Sequence, residues 1–550
     1  MSTRSRHNPG DTSLDIPQVS DLSTKVLSHW LAAGILLIAG ACAPVSQAAV
    51  GDPGLGNPQA DRVIGFGFGV IKERYLDHVG IGKVAFEAMR GLSVIDPALT
   101  VEQTEPRRIA VRYQNEALAD YPTPADDDVD GWAALILTVA RDASAISPEL
   151  RNADNEKLYE AVFDSALAKL DMFSRYAGAS EAREHRAARN GFGGIGVRYD
   201  LNPEDVVLTE VMPDTPAAHA HLQVGDHLTA IDGKALGGLD QKIISNLLRG
   251  PIASRVSLTI RHPGAQQAAT VGLQRSLIVP QTATMTIDGG IATIAVSSFN
   301  QNTAASVTDD VKKAKATPGF KGVVLDLRGN PGGLLDQGVA VADLFMDHGR
   351  IVSTRGRNPA SVQQYDAKPG DPGEDVPVVV VVDGRSASAA EIVTAALQDS
   401  GRAVVVGTNS YGKGTVQTVV RMPNDGEMTL TWSRFYSPSG YPLHGLGVLP
   451  SICTADLHAD AAALLEPVRD GRSTVAANIA SWRATTIGET ALRTQLRTAC
   501  PAGKHTDAGL DLALARDLIE DQTLYAQALG LTAPVSTASS APIGTAMDQR

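Results

Sequence analysis

Two serines stand in the segment GRSASAAEI, residues 384–392, just after a run of five valines and Asp383. A serine hydroxyl is a weak nucleophile until a neighbouring base takes its proton. No histidine lies near this segment. The valines read as a strand and the residues after them as a helix running to Gly401, so Ser386 and Ser388 fall at a helix N-terminus. Unpaired amides and the positive end of the helix dipole favour a developing oxyanion there. The same position is where serine caps a helix, and on position alone both serines read as caps. A base is on offer in NSYGKGTVQ, residues 409–417, where Lys413 stands between Gly412 and Gly414. Burial lowers a lysine's pKa, and a neutral lysine is a competent general base. Most lysines are solvated surface charges, so a Ser–Lys dyad is at this point one reading of two.

The elements that would position these groups follow from periodicity. Residues 322–328, 377–382 and 403–407 are apolar on both faces, as fully buried strands are. They alternate with helical stretches, the first starting near Leu334, which predicts a layered α/β core over 276–455. Residues 61–189 are mostly helical, with the stretch 156–176 carrying apolar residues at three- and four-residue steps and a polar loop over 120–131. At Gly191 the texture changes to short strands and turns, with strands at 206–211 and 255–262 and a helix at 239–249. The chain turns helical again after Pro450 and ends in a low-complexity tail. The expected organisation is a targeting segment over 1–50, a helical N-terminal region over 51–190, a β-rich module over 191–275 and the α/β core over 276–455. A helical extension over 456–534 and a disordered tail over 535–550 complete it.

The chain has 550 residues and a net charge of −13, with no basic patch, which excludes nucleic acid as a partner class. Arg4, Arg6 and Lys25 precede the apolar stretch 30–43, too short for a comfortable span, and Ser46-Gln47-Ala48 fits a signal-peptidase site. An uncleaved anchor and a lipidated Cys42 are the alternatives, and all three export the chain to a bacterial-type periplasm or cell envelope. Membrane association is then through the N-terminus alone. With the signal removed, Cys453 and Cys500 remain as an even pair that could form a disulfide or stay as two separate buried thiols. Neither an HExxH motif nor a paired-cysteine motif is present, so no metal site and no cofactor are expected. Of twelve histidines, only His444 lies close in sequence to the segments above, and none sits in a recognised triad motif. Asp326 and Arg328 read as a structural ion pair at a strand end.

The module over 191–275 resembles a PDZ domain, on Gly194-Ile195-Gly196-Val197 and VMPDTPAAHAHLQVGDHLTAIDGKAL. The resemblance implies that the glycine loop points amides at a peptide's terminal carboxylate, with Ile195 and Val197 lining the pocket for the last side chain. Four blocks in order, this module, LDLRGNPGGLL (325–335), SASAAEI (386–392) and YGKGTVQ (411–417), resemble the carboxyl-terminal processing, or tail-specific, serine peptidases. The likeness spans 173–452, about half the chain. It implies Ser388 as nucleophile, Lys413 as general base 25 residues on, Gln417 orienting the lysine, and the Gly333 and Ala389 amides as oxyanion hole. The family's usual SASASEI differs here by Ala390, a position the nucleophile does not occupy. Ser386 is left as a packing or capping residue. The expected function is an exported serine endopeptidase that recognises protein C-termini. The alternative is a catalytically silent PDZ scaffold or ligand-binding protein on the same fold. Oligomerisation, covering of the active site and recruitment of an adaptor lipoprotein stand open for the two helical regions.

Overall fold

Five consecutive valines need apolar cover on both sides of a strand, because successive side chains point to opposite faces. In the computed structural model, which describes residues 58–370, 372–456, 459–503 and 508–532, the strand Val378–Val382 has that cover. The targeting segment with Cys42 and the tail 535–550 lie outside the described residues. Val378, Val380 and Val382 pack into one core with the helices Leu335–Asp343 and Ala389–Asp399. Val379 and Val381 pack into another, built with Leu514, Ala515 and Leu518 of the helix Ala508–Glu520. The flanking strands obey the same alternation: Val323, Leu325 and Val405 face the first core, and Val324, Val404 and Val406 the second. The C-terminal extension is therefore the second lid of the sheet.

That sheet has six strands in the order Ala283–Asp288, Ile291–Val296, Gly322–Asp326, Val378–Val382, Val404–Gly407 and Ile452–Cys453. The first pair is antiparallel and the rest are parallel. A second sheet holds Thr415–Arg421 beside the long strand Glu427–Tyr436. The β-rich module leaves and rejoins the chain through an antiparallel neck, Phe192–Gly194 against Ser276–Ile278. Its own sheet ends on the edge strand Val197–Leu201, beside the helix Gln241–Leu248. The whole is a multi-domain α/β protein with helical N- and C-terminal regions.

The N-terminal region departs from the helical expectation in two places. Residues 99–122, including the start of the expected loop, form an antiparallel meander of Leu99–Glu105, Arg108–Tyr113 and Glu116–Pro122. Its inward residues Val101, Ile109 and Val111 alternate with polar ones, a period-two signal short enough to be missed between long helices. The helix expected to run through Tyr176 stops at Ala168. Asp171 then accepts the amides of Phe173 and Ser174, and Arg175–Ala177 joins Glu427–Tyr436 as a strand. A sheet edge supplied from far along the chain wins over local helical periodicity. Among the described residues no helix is long and apolar enough to cross a membrane.

Cys453 and Cys500 form a disulfide, with Cα atoms 5.9 Å apart and a sequence separation of 47. Closing a loop of that length removes unfolded-state entropy worth about 4 kcal/mol in the chain-entropy account. Reduction is expected to lower the melting temperature by several degrees. Calorimetry with and without dithiothreitol, beside a Cys453→Ser/Cys500→Ser variant that no longer responds, checks this.

Candidate active site

Asp383 ends the valine strand and fixes the turn after it. Its carboxylate accepts the amides of Gly329 (2.8 Å) and Arg385 (2.9 Å). Ser386 is fully buried, donates to the Leu327 carbonyl at 2.8 Å and accepts the Asp383 amide at 2.9 Å. It ties two strand ends together and has no path to a substrate. Asp326 and Arg328 pair at 2.6 Å beside it, and Arg328 also reaches Asp511.

Ser388 is half-buried and directly precedes the helix Ala389–Asp399. Its backbone has φ 56° and ψ −116°, a conformation that costs a non-glycine residue on the order of 1–3 kcal/mol. Such strain persists only where the surroundings impose it. Gly332 closes the other wall: a Cβ there would stand 2.7 Å from the Ser388 Cβ. Next to it Gly333 runs beside Phe299, whose amide donates to Gly332 O and whose carbonyl accepts Leu334 N. The Gly333 and Ala389 amides have no hydrogen-bond partner among the described residues. Ala390 is buried in the core.

Lys413, Ser388, Gly333, Ala389 and Gln417 line one cleft of about 560 Å³. Arg175, His185 and Arg189 share it with apolar walls that include Leu335, Val416 and Phe435. The Lys413 ammonium lies 5.2 Å from the centre of the Phe173 ring. Burial pushes its pKa below the ordinary lysine value, the nearby Arg175 charge adds to this, and Glu391 and Asp171 oppose it. The Gln417 amide nitrogen donates to the hydroxyls of Thr415 (2.9 Å) and Thr431 (3.3 Å), not to the lysine loop. His444 lies edge-on to Phe173 at 6.3 Å, and burial lowers its pKa.

One residue escaped the sequence reading. Glu391 is fully buried and accepts four hydrogen bonds: from Ser388 N (2.8 Å), Ser410 Oγ (2.5 Å), Gly412 N (2.6 Å) and Lys413 N (2.9 Å). Ser388 N and Lys413 N share the same oxygen, so they stand no more than 5.7 Å apart (2.8 plus 2.9 Å). Burial pushes the Glu391 carboxyl upward, and its four donors pull it back. The signal was present in the sequence, since Ser-x-x-Glu at a helix start is the spacing of a capping box.

In the β-rich module the loop 194–197 opens on a groove of about 90 Å³ between Val197–Leu201 and Gln241–Leu248. The Ile195 and Gly196 carbonyls accept Ala217 N and Met212 N, while their own amides have no partner among the described residues. Ile195 is buried in the module's core with only its edge at the groove, and Val197 is half-buried beside it. Tyr199 and Ser245 hydroxyls meet across the groove at 2.7 Å. Arg249 at its mouth stacks on Phe192 and pairs with Glu184 at 2.6 Å.

Comparison with known proteins gives this geometry a family. The description "Peptidase family S41" matches residues 290–454, and "PDZ domain" matches 193–273. A carboxy-terminal-processing protease of Bartonella bacilliformis is 37% identical over 303 residues, which cover 54% of this chain and 70% of that protein. The chain belongs to the carboxy-terminal-processing proteases. It is a serine peptidase with a PDZ domain. A second relative, from Picosynechococcus, is 31% identical over 302 residues, covering 54% of this chain and 72% of its own. Among solved structures, the photosystem II D1 C-terminal processing protease is 25% identical, covers 71% of this chain and 92% of its own, and has a TM-score of 0.36.

Proposed function

We propose that this peptidase is an exported endopeptidase that takes protein C-termini in its PDZ groove and cleaves with a Ser388–Lys413 dyad. The observation that carries this reading is one cleft holding a strained half-buried serine, two unpartnered amides and a half-buried lysine. Neutral Lys413 takes the Ser388 proton as Oγ attacks the peptide carbonyl. The Gly333 and Ala389 amides receive the oxyanion, and removing one such donor costs ~2.7–4 kcal/mol in other hydrolases. The protonated lysine then gives its proton to the leaving amine, and an acyl-enzyme remains. Water attacks this ester, Lys413 takes the water's proton and returns one to Ser388 Oγ. Gln417 lines the same cleft as the lysine, held there by the Thr415 and Thr431 hydroxyls, and orients it when the cleft is occupied. Export is supported by the N-terminal segment and by the disulfide, which suits an oxidising compartment.

The reading is tested with an unfolded protein substrate bearing an apolar C-terminus, incubated with wild type, Ser388→Ala and Lys413→Ala. Cleavage by wild type alone supports it; no cleavage by wild type, or equal cleavage by all three, refutes it. The PDZ part has its own check. The free amides of Ile195 and Gly196 suit a carboxylate, so amidating the substrate's C-terminus is expected to raise KM roughly tenfold or more, at ~1.4 kcal/mol per tenfold. An unchanged KM refutes C-terminal recognition and leaves the dyad standing.

A further inference from the structure

The loop carrying Lys413 is fastened from outside the peptidase core. The segment 493–503, in the C-terminal extension, lies along it. Arg497 sends one guanidinium nitrogen to the Leu446 carbonyl and another to the Ser410 carbonyl, the latter at 3.0 Å. Ser410 is the residue whose hydroxyl donates to Glu391 and accepts Val448 N at 2.8 Å. Gly412, next to Lys413, packs so close that a Cβ there would stand 3.3 Å from Arg497. Six residues on, the Gly503 carbonyl accepts Gly384 N at 2.8 Å and the Thr408 hydroxyl at 3.1 Å. Gly384 opens the serine loop and Thr408 opens the lysine loop. Between the two anchor points Cys500 is bonded to Cys453.

We propose that Arg497 is a positioning residue for the reaction, holding the lysine loop through Ser410 so that Lys413 faces Ser388. This inference rests on the dyad reading above. A planar guanidinium suits the task, since its fixed fork can hold two carbonyls of different loops at once. Burial lowers its pKa and the Glu391 charge opposes this, so a half-buried cation stands near the buried carboxylate hub. The groups that set the charge of Lys413 are Arg175 and Asp171 on one side and Glu391 on the other, with the Phe173 ring beneath. Arg497 is not among them. It acts on where the lysine stands and on how dry it stays.

The test uses the full-length protein and an internally quenched peptide. Arg497→Ala is expected to lower kcat at neutral pH on the order of tenfold to a hundredfold, as a displacement of about 1 Å in a catalytic group does, with KM little changed. The loosened lysine becomes better hydrated, so the acid limb of the kcat profile moves to higher pH. Arg497→Lys keeps one of the two carbonyl contacts and recovers part of both effects. Mild reduction of wild type, which frees Cys500, is expected to move kcat and the acid limb in the same directions and covers the case in which Arg497→Ala does not fold. A lower melting temperature with wild-type kcat and an unmoved acid limb, in either arm, overturns the proposal. An active Ser388→Ala control overturns the dyad reading instead.

Discussion

Ser388→Ala is expected to abolish peptide hydrolysis, and Lys413→Ala to do nearly the same, with losses in kcat on the order of 10⁴ to 10⁶ if the pair acts as one unit. The two losses are then not additive, and the double variant is no worse than Ser388→Ala. Steady-state kinetics on one peptide substrate decide this: equal activity in all forms refutes the dyad, and no activity in wild type leaves the silent scaffold. The lysine also sets the pH dependence. Its pKa is depressed by burial and by Arg175, and in the proposed dyad the neutral form is the active one. Activity therefore rises with pH through the depressed value and is lost below it. The stability effect has the same sense. The unfolded chain holds this proton more tightly than the folded chain does. Stability thus rises with pH between the depressed value and the ordinary 10.5, because the charged form is the one that burial disfavours. Lys413→Met is expected to be inactive yet to melt no lower than wild type.

The second large effect is at Glu391. Its removal leaves Ser388 N, Ser410 Oγ, Gly412 N and Lys413 N without their acceptor inside a dry site. Each buried unpaired donor costs about 1–3 kcal/mol. Glu391→Ala is expected to lose at least ~3 kcal/mol of stability, read as a shift in denaturant midpoint, and most of its activity. Glu391→Gln keeps the shape but replaces one accepting oxygen by a donor, so one side of the hub turns repulsive. It is expected to fold, to melt a few degrees lower and to lose kcat more than KM. Wild-type kcat in Glu391→Gln disproves the coupling of the two loops through this carboxylate.

What the sequence made legible divides along physical lines. The buried strands were readable because continuous valine runs have few other uses. Ser388 and Lys413 were nameable because loop positions that carry chemistry bring recurrent neighbours with them, the small residues after one and the glycines around the other. Ser386 and Ser388 could not be told apart by position, since both lie at one helix start. The family pattern points to Ser388, and the hydrogen bonds of Ser386 to Leu327 and Asp383 give Ser386 a structural role of its own. Glu391 served as a spacing marker although its capping spacing was in view, because a glutamate in a first helical turn usually faces water. Arg175 and Arg497 carry no local signal at all. Each reaches the site across more than eighty residues of chain, and such contacts depend on topology.

The second lid of the valine sheet also sets an order of events during synthesis. Val379, Val381, Val404 and Val406 are all made before residue 407, while the helix that covers them starts at Ala508. For the time between, a growing chain carries an uncovered apolar face, and its lysine loop lacks Arg497 and Gly503. If Arg497 positions the lysine loop as proposed, such a chain is expected to be inactive until its last helices are made.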